Sequence, residues 1–249
     1  MHDKTVVALY DHFDNAKAAV ADLIQTGAPH GAISLLANSL TGDHPALSVN
    51  PAYAREEQDA RSEEQSPLIT GAEVGIGVGG VLGFLAAISP IVIPGIGILI
   101  AAGTLATVAA GAAAGGVLGG VIGALTGHGV SGQDSHLYAE GLKRGGTLVT
   151  VVLPEDQIEK ATLVFKNHGA VDIEKRGAAW TAEGWVAFDP ASHPMTQAEI
   201  EAERARSAAE GHEAEDHHAV RHYFHPGGAV LSGGATTETT HYAEDESGI

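Results

Sequence analysis

Cysteine is absent from all 249 residues, which removes disulfides, thiolate metal sites and cysteine nucleophiles together. Aromatic residues are scarce, at 5%. A core built without them must rely on aliphatic side chains and on close approach of backbones. Basic residues are also few, with 13 Lys and Arg against 31 Asp and Glu for a net charge of −18. A chain of that sign repels phosphate backbones, so DNA and RNA are not expected partners. The opening Met1-His2-Asp3-Lys4-Thr5 lacks the basic and apolar regions of a secretory leader, and no signal peptide is expected. The most informative absence is internal: after Glu73 there is no Asp, Glu, Lys or Arg until Asp134.

That charge-free run is rich in glycine, of which the chain has 33. Gly71, Gly75, Gly79 and Gly83 recur every fourth residue, as do Gly111, Gly115, Gly119, Gly123 and Gly127. On a helix this spacing lays the glycines along one stripe. Each glycine inside a helix costs about 1 kcal/mol relative to alanine, so such a stripe needs a tertiary gain. Close packing of bare backbones, the small-xxx-small arrangement of membrane helices, supplies one. Pro90 and Pro94, with Gly95, divide the run, because proline breaks a helical hydrogen bond and clashes with the preceding turn. The expectation is a helical hairpin over 69–127, bent at Pro90, Pro94 and Gly95, with a weak point near Gly103. Its little polar surface predicts burial in a lipid bilayer or against copies of the same chain, rather than a hairpin folded back on its own domain, whose one small sheet would leave too much apolar surface uncovered.

The flanks have ordinary α+β patterning. Thr5-Val6-Val7-Ala8-Leu9-Tyr10 predicts a buried strand. Ala16, Ala19, Val20, Leu23 and Ile24 fall at helical spacing over 14–26, and Ala32 to Ala37 predicts a second strand. After the run, Tyr138 to Arg144 predicts a short helix and Thr147 to Leu153 a strand. Glu155 to His168 predicts a helix with acids in its first turn, and Val171 to Glu174 a last strand. The order β-α-β, insertion, β-α-β is that of a ferredoxin-like split β-α-β fold. The domain scheme is therefore a first half over 1–38, a polar linker over 39–68, the hairpin insertion over 69–127 and a second half over 135–176. A tail over 177–249 holds Trp180 and Trp185, expected to pack on the sheet or a partner. The tail continues with a helix opened by the capping-box pair Thr196 and Glu199, then a flexible acidic, His-rich end.

Few residues invite chemistry. Glu215, His218 and His222 would share a helical face at a spacing that suits Zn²⁺. Against that stands a solvated tail helix in a chain with 14 histidines, and no other cofactor is expected. Gly75 to Gly80 lacks the lysine of a P-loop. No nucleophile, acid and base can be assembled, so no enzyme activity and no small-molecule substrate are expected.

The segments Thr5-Val6-Val7-Ala8-Leu9-Tyr10-Asp11 and Tyr138-Ala139-Glu140-Gly141-Leu142-Lys143-Arg144-Gly145-Gly146-Thr147-Leu148-Val149 resemble the heat-induced general stress protein (YflT-like) domain. The bend Ile93-Pro94-Gly95-Ile96-Gly97 resembles members carrying a hydrophobic insertion. The resemblance spans about residues 4–176 and implies a bacterial, stress-associated, non-enzymatic protein. The expected function is structural self-assembly through the glycine zipper, attached to a membrane with the α+β domain cytoplasmic. A soluble cytoplasmic homo-oligomer or filament, and a small-ligand or metal sensor module, are the alternatives.

Overall fold

The computed structural model describes residues 3–41, 84, 88–93, 95–106, 108, 119–209 and 219–225. The first half gives β1 (Asp3–Tyr10), α1 (Phe13–Gln25) and β2 (Ile33–Asn38). The apolar run contributes β3 (Ser89–Ile93), β4 (Gly97–Ala102), a π-type turn at Gly119–Gly123 and the short α2 (Ala124–Gly127). Then follow α3 (Gly132–Lys143), β5 (Thr147–Pro154), α4 (Ile158–Asn167), α5 (Ile173–Ala182), α6 (Gln197–Ala209) and β6 (Val220–Phe224). The strands make one six-stranded sheet in the order β3-β4-β2-β5-β1-β6, with every pair antiparallel. The chain is thus a mixed α+β protein.

Alternation along the strands builds two apolar clusters, one on each face of the sheet. Val6, Ala8 and Tyr10 of β1 pack with Val20 and Leu23 of α1 and Phe165 of α4. Val7 and Leu9 point the other way, into a cluster with Leu137, Tyr138 and Leu142 of α3 and Trp180 of α5. Helices on both faces explain why the central strands read as unbroken apolar runs rather than as apolar-polar alternation. Trp180 is buried, and Trp185 packs partly buried against the same cluster.

Three sequence expectations are corrected here. Residues 97–102 were expected to open a long helix, and instead they form β4, paired to β2 with Leu35 opposite Ala102. The bend exists at Gly95, with φ +77°, but it joins two strands rather than two helices. The cause is non-local: β2 offers an unpaired edge, and Ile98, Leu99 and Ile100 are suited to fill it. Pro90 then falls on the outer strand, where a missing N–H is tolerated. Pro94 lies outside the described residues. Second, Val171 makes only a single bridge to Leu9, and the expected strand over 171–174 gives way to α5. Asp172 caps that helix, its side chain accepting from the N–H groups of Glu174 at 2.9 Å and Lys175 at 3.0 Å. Third, the glycine stripe is not one regular helical stripe at its end. Gly119 and Gly123 lie in the π-type turn, with Gly120 non-helical at φ −39° and ψ −125°, and Gly127 ends α2. Gly71, Gly75, Gly79, Gly83, Gly111 and Gly115 lie outside the described residues. Among the described residues no helix is long and apolar enough to cross a membrane.

Gly103 ends β4 with φ +85°, and a Cβ there would lie 2.2 Å from the carbonyl oxygen of Ile33. The turn is held as Leu105 N–H donates to Ser34 Oγ at 3.1 Å. Gly103→Ala meets both left-handed strain and a backbone clash, so it should cost about 3 kcal/mol or more of stability. Urea denaturation checks this, and an unchanged midpoint would contradict the close approach.

Candidate functional site

The most elaborate polar arrangement begins at the start of α3. Ser131 is its N-cap and accepts from Asp134 N–H at 3.1 Å, while its hydroxyl donates to Asp134 Oδ2 at 2.8 Å. Capping would normally leave an acidic side chain at the surface, but Asp134 is only 8% exposed. Its burial is supported by β6, which runs beside β1 with Arg221 opposite Val7 and Tyr223 opposite Thr5. Arg221 Nη1 donates to both Asp134 oxygens at 3.2 Å, and the Tyr223 hydroxyl donates to Oδ2 at 2.9 Å. The other arm of the guanidinium pairs with Glu174, in the first turn of α5. One arginine therefore joins α3, α5 and β6.

The electrostatics follow from this geometry. Burial opposes the Arg221 charge, but Asp134 and the neighbouring Tyr223 and Tyr138 offset it, so its pKa rises above the ordinary arginine value. Burial raises the Tyr138 phenol well above its usual range, with Tyr223 and Asp134 acting in the same direction. Tyr223 is likewise raised, chiefly by burial. Both phenols stay protonated and act as hydrogen-bonding groups rather than as bases.

A cavity of about 580 Å³ opens between the N-terminal half of α3, α5, the segment after α5 and Arg221. That volume lies within the range of small-molecule sites. Its walls include Asp134, His136, Glu174, Trp185 and Val186. His136 Nδ1 and Trp185 Nε1 are buried without a hydrogen-bond partner among the described residues. Each such group costs roughly 1–3 kcal/mol, so this wall is less complete than a finished core.

A second buried network lies farther along α3. Arg144 pairs with Glu140 at 2.8 Å and Glu203 at 3.1 Å, and its guanidinium sits 4.8 Å from the centroid of Trp180. Trp180 Nε1 donates to Glu203 Oε1 at 2.8 Å. Together with the buried Ile200, these contacts dock α6. The capping box that opens α6 is present: Thr196 N–H and hydroxyl both donate to Glu199 Oε2 at 2.7 Å.

Of the residues singled out for a metal, only His222 is among the described residues. His222 lies on β6 rather than on a helix, with Lys4 and Phe224 close by in the register, while Glu215 and His218 lie outside the described residues. The helical spacing argument fails because Val220 to Phe224 pairs with β1. Burial, with Lys4 and Lys166, lowers the His222 pKa below the ordinary histidine value. Among the described residues no group of three His, Asp or Glu is placed to hold a metal ion. Sequence reading missed Asp134, Glu174, Arg221 and Tyr223. One local signal was there, the Ser131-x-x-Asp134 cap pattern. A second was the period-two alternation of Val220-Arg221-His222-Tyr223-Phe224.

No known protein family, curated protein or solved structure matches the chain.

Proposed function

We propose that this chain is a non-enzymatic structural protein that assembles with copies of itself through its glycine-rich apolar segment, on a folded α+β base. The observation that carries this reading is the way the charge-free run is tied to the domain. Phe84 is buried in one cluster, β3 and β4 extend the sheet, and Val121, Ala124 and Leu125 enter the other cluster. Phe84, β3, β4 and residues 119–127 of the charge-free run are therefore part of one folded domain, which favours burial of the apolar surface against protein over a hairpin through lipid. The non-enzymatic reading is supported by Asp134, whose carboxylate is already engaged by three side chains.

For the base domain we infer a split β-α-β arrangement. In its support, β5 lies between β1 and β2, α1 connects β1 to β2, and both helices α1 and α4 cover one face. Val171 and β6 occupy the outer flank of β1, and β3-β4 extend the opposite edge. The stress association rests on the resemblance of the segments around Thr5 and Tyr138, and transcript levels after heat shock test it.

The assembly is tested with the full chain expressed without detergent, sized by light scattering, alongside carbonate-washed membranes. A soluble particle of several subunits is expected, and Gly115→Leu with Gly119→Leu should reduce its mass at least twofold. A monomer, or a mass that those changes leave untouched, overturns the proposal. Retention in the washed membranes would instead favour the membrane-attached form.

A further inference from the structure

We infer that the cavity between α3, α5 and β6 is a binding site for a small organic cation, an amine carrying an apolar body. This goes beyond the assembly reading and does not depend on it.

Three independent properties of the wall select that chemistry. The first is charge. Asp134 and Glu174 contribute two carboxylates to the lining and Arg221 one guanidinium, so the acids are in excess. The −18 of the chain as a whole reinforces the same sign, drawing cations to the opening and repelling anions. The two acids are not equivalent. Asp134 is buried and already receives Ser131, Arg221 and Tyr223. Glu174 keeps 55% of its side-chain exposure while paired with Arg221, and it is the carboxylate that an incoming ammonium would meet.

The second property is the aromatic wall. Trp185 lines the cavity and is held edge-to-face by Trp180, with centroids 6.1 Å apart. Indole is the strongest of the aromatic side chains in attracting a cation, and a partly desolvated site strengthens the attraction. The face of Trp180 is already used by Arg144, so the chain itself employs this pairing one residue pair away.

The third property is the apolar rim. Val186 is 90% exposed beside the opening, and Leu137 and Ala178 line the interior. A purely inorganic cation would leave these groups as they are, whereas the body of an amphipathic amine covers them. A neutral isostere would gain the apolar contact but not the carboxylate. The site thus favours the charged and apolar halves in one molecule.

The test is titration of the full chain with benzylamine and with putrescine at constant ionic strength and pH 7, followed by calorimetry and tryptophan fluorescence. Benzyl alcohol and benzoate serve as the neutral and anionic counterparts. Benzylamine should bind at least tenfold more tightly than benzyl alcohol, with benzoate weaker still. Glu174→Gln should weaken amine binding at least tenfold. Val186→Lys, at an exposed position that disturbs no packing, should do the same by placing a competing ammonium at the rim. Equal binding of the alcohol and the amine overturns the proposal, as does binding unaffected by both substitutions. A response reproduced by sodium chloride, or no binding of either amine below about 10 mM, overturns it as well. These outcomes are read on the domain whatever its assembly state, so they stand or fall separately from the light-scattering result.

Discussion

Replacing Arg144 by methionine should lower the stability of the chain by about 3–5 kcal/mol at neutral pH. The magnitude comes from what the substitution leaves behind rather than from the pair it removes. Glu140 and Glu203 are 4% and 5% exposed, and both carboxylates lean on the same guanidinium. Burial opposes the Arg144 charge, yet the two glutamates raise its pKa above the ordinary value, which reports how strongly they hold it. Without it, two buried carboxylates face each other in a medium that stabilises neither. Glu203 keeps Arg206 and the Trp180 indole, and the uncompensated charge falls mainly on Glu140.

Denaturant midpoints at pH 7 check this, and an unchanged midpoint would show that neither glutamate depends on Arg144.

How much of this was legible in the sequence depends on the range of the forces concerned. The elements β1, α1, β2 and β5 could be read because their patterns are local: Thr5 to Tyr10 is unbroken, and Ala16, Ala19, Val20 and Leu23 repeat at helical spacing. The capping box of Thr196 and Glu199 was legible for the same reason. The strands β3 and β4 were not, because a run of Ile, Ala and Gly has no period that separates strand from helix. What decided it was the empty edge of β2, some sixty residues earlier in the chain. At Val171 the short range won instead, as the Asp172 cap started a helix where the apolar pattern suggested a strand. The ligand-sized cavity was invisible for a third reason. Asp134 and Arg221 are 87 residues apart and meet only because β6 returns to β1. The histidine spacing in the same stretch pointed to a helix and obscured that return.

That return is what Asp134→Ala should undo. The carboxylate accepts from the hydroxyl of Ser131, the N-cap of α3, receives the Tyr223 hydroxyl and holds Arg221 through both oxygens. Hydrogen bonds to a charged group are each worth roughly 1.5–3 kcal/mol, and removing one member of a buried ion pair leaves the other uncompensated. Arg221 retains Glu174, which is half exposed and therefore a weaker partner. The expected loss is about 3–4 kcal/mol, concentrated on β6 because that strand is five residues long and, among the described residues, pairs only with β1. Amide hydrogen exchange over 220–224 should accelerate at least a hundredfold, with β5, on the other side of β1, much less affected. Arg221→Met combined with Asp134→Ala should recover part of the loss, because the uncompensated charge is gone. Uniform acceleration across the whole sheet, or additive single and double losses, would mean that the Asp134 carboxylate serves only to orient the Ser131 hydroxyl and that β6 is held by its backbone pairing with β1.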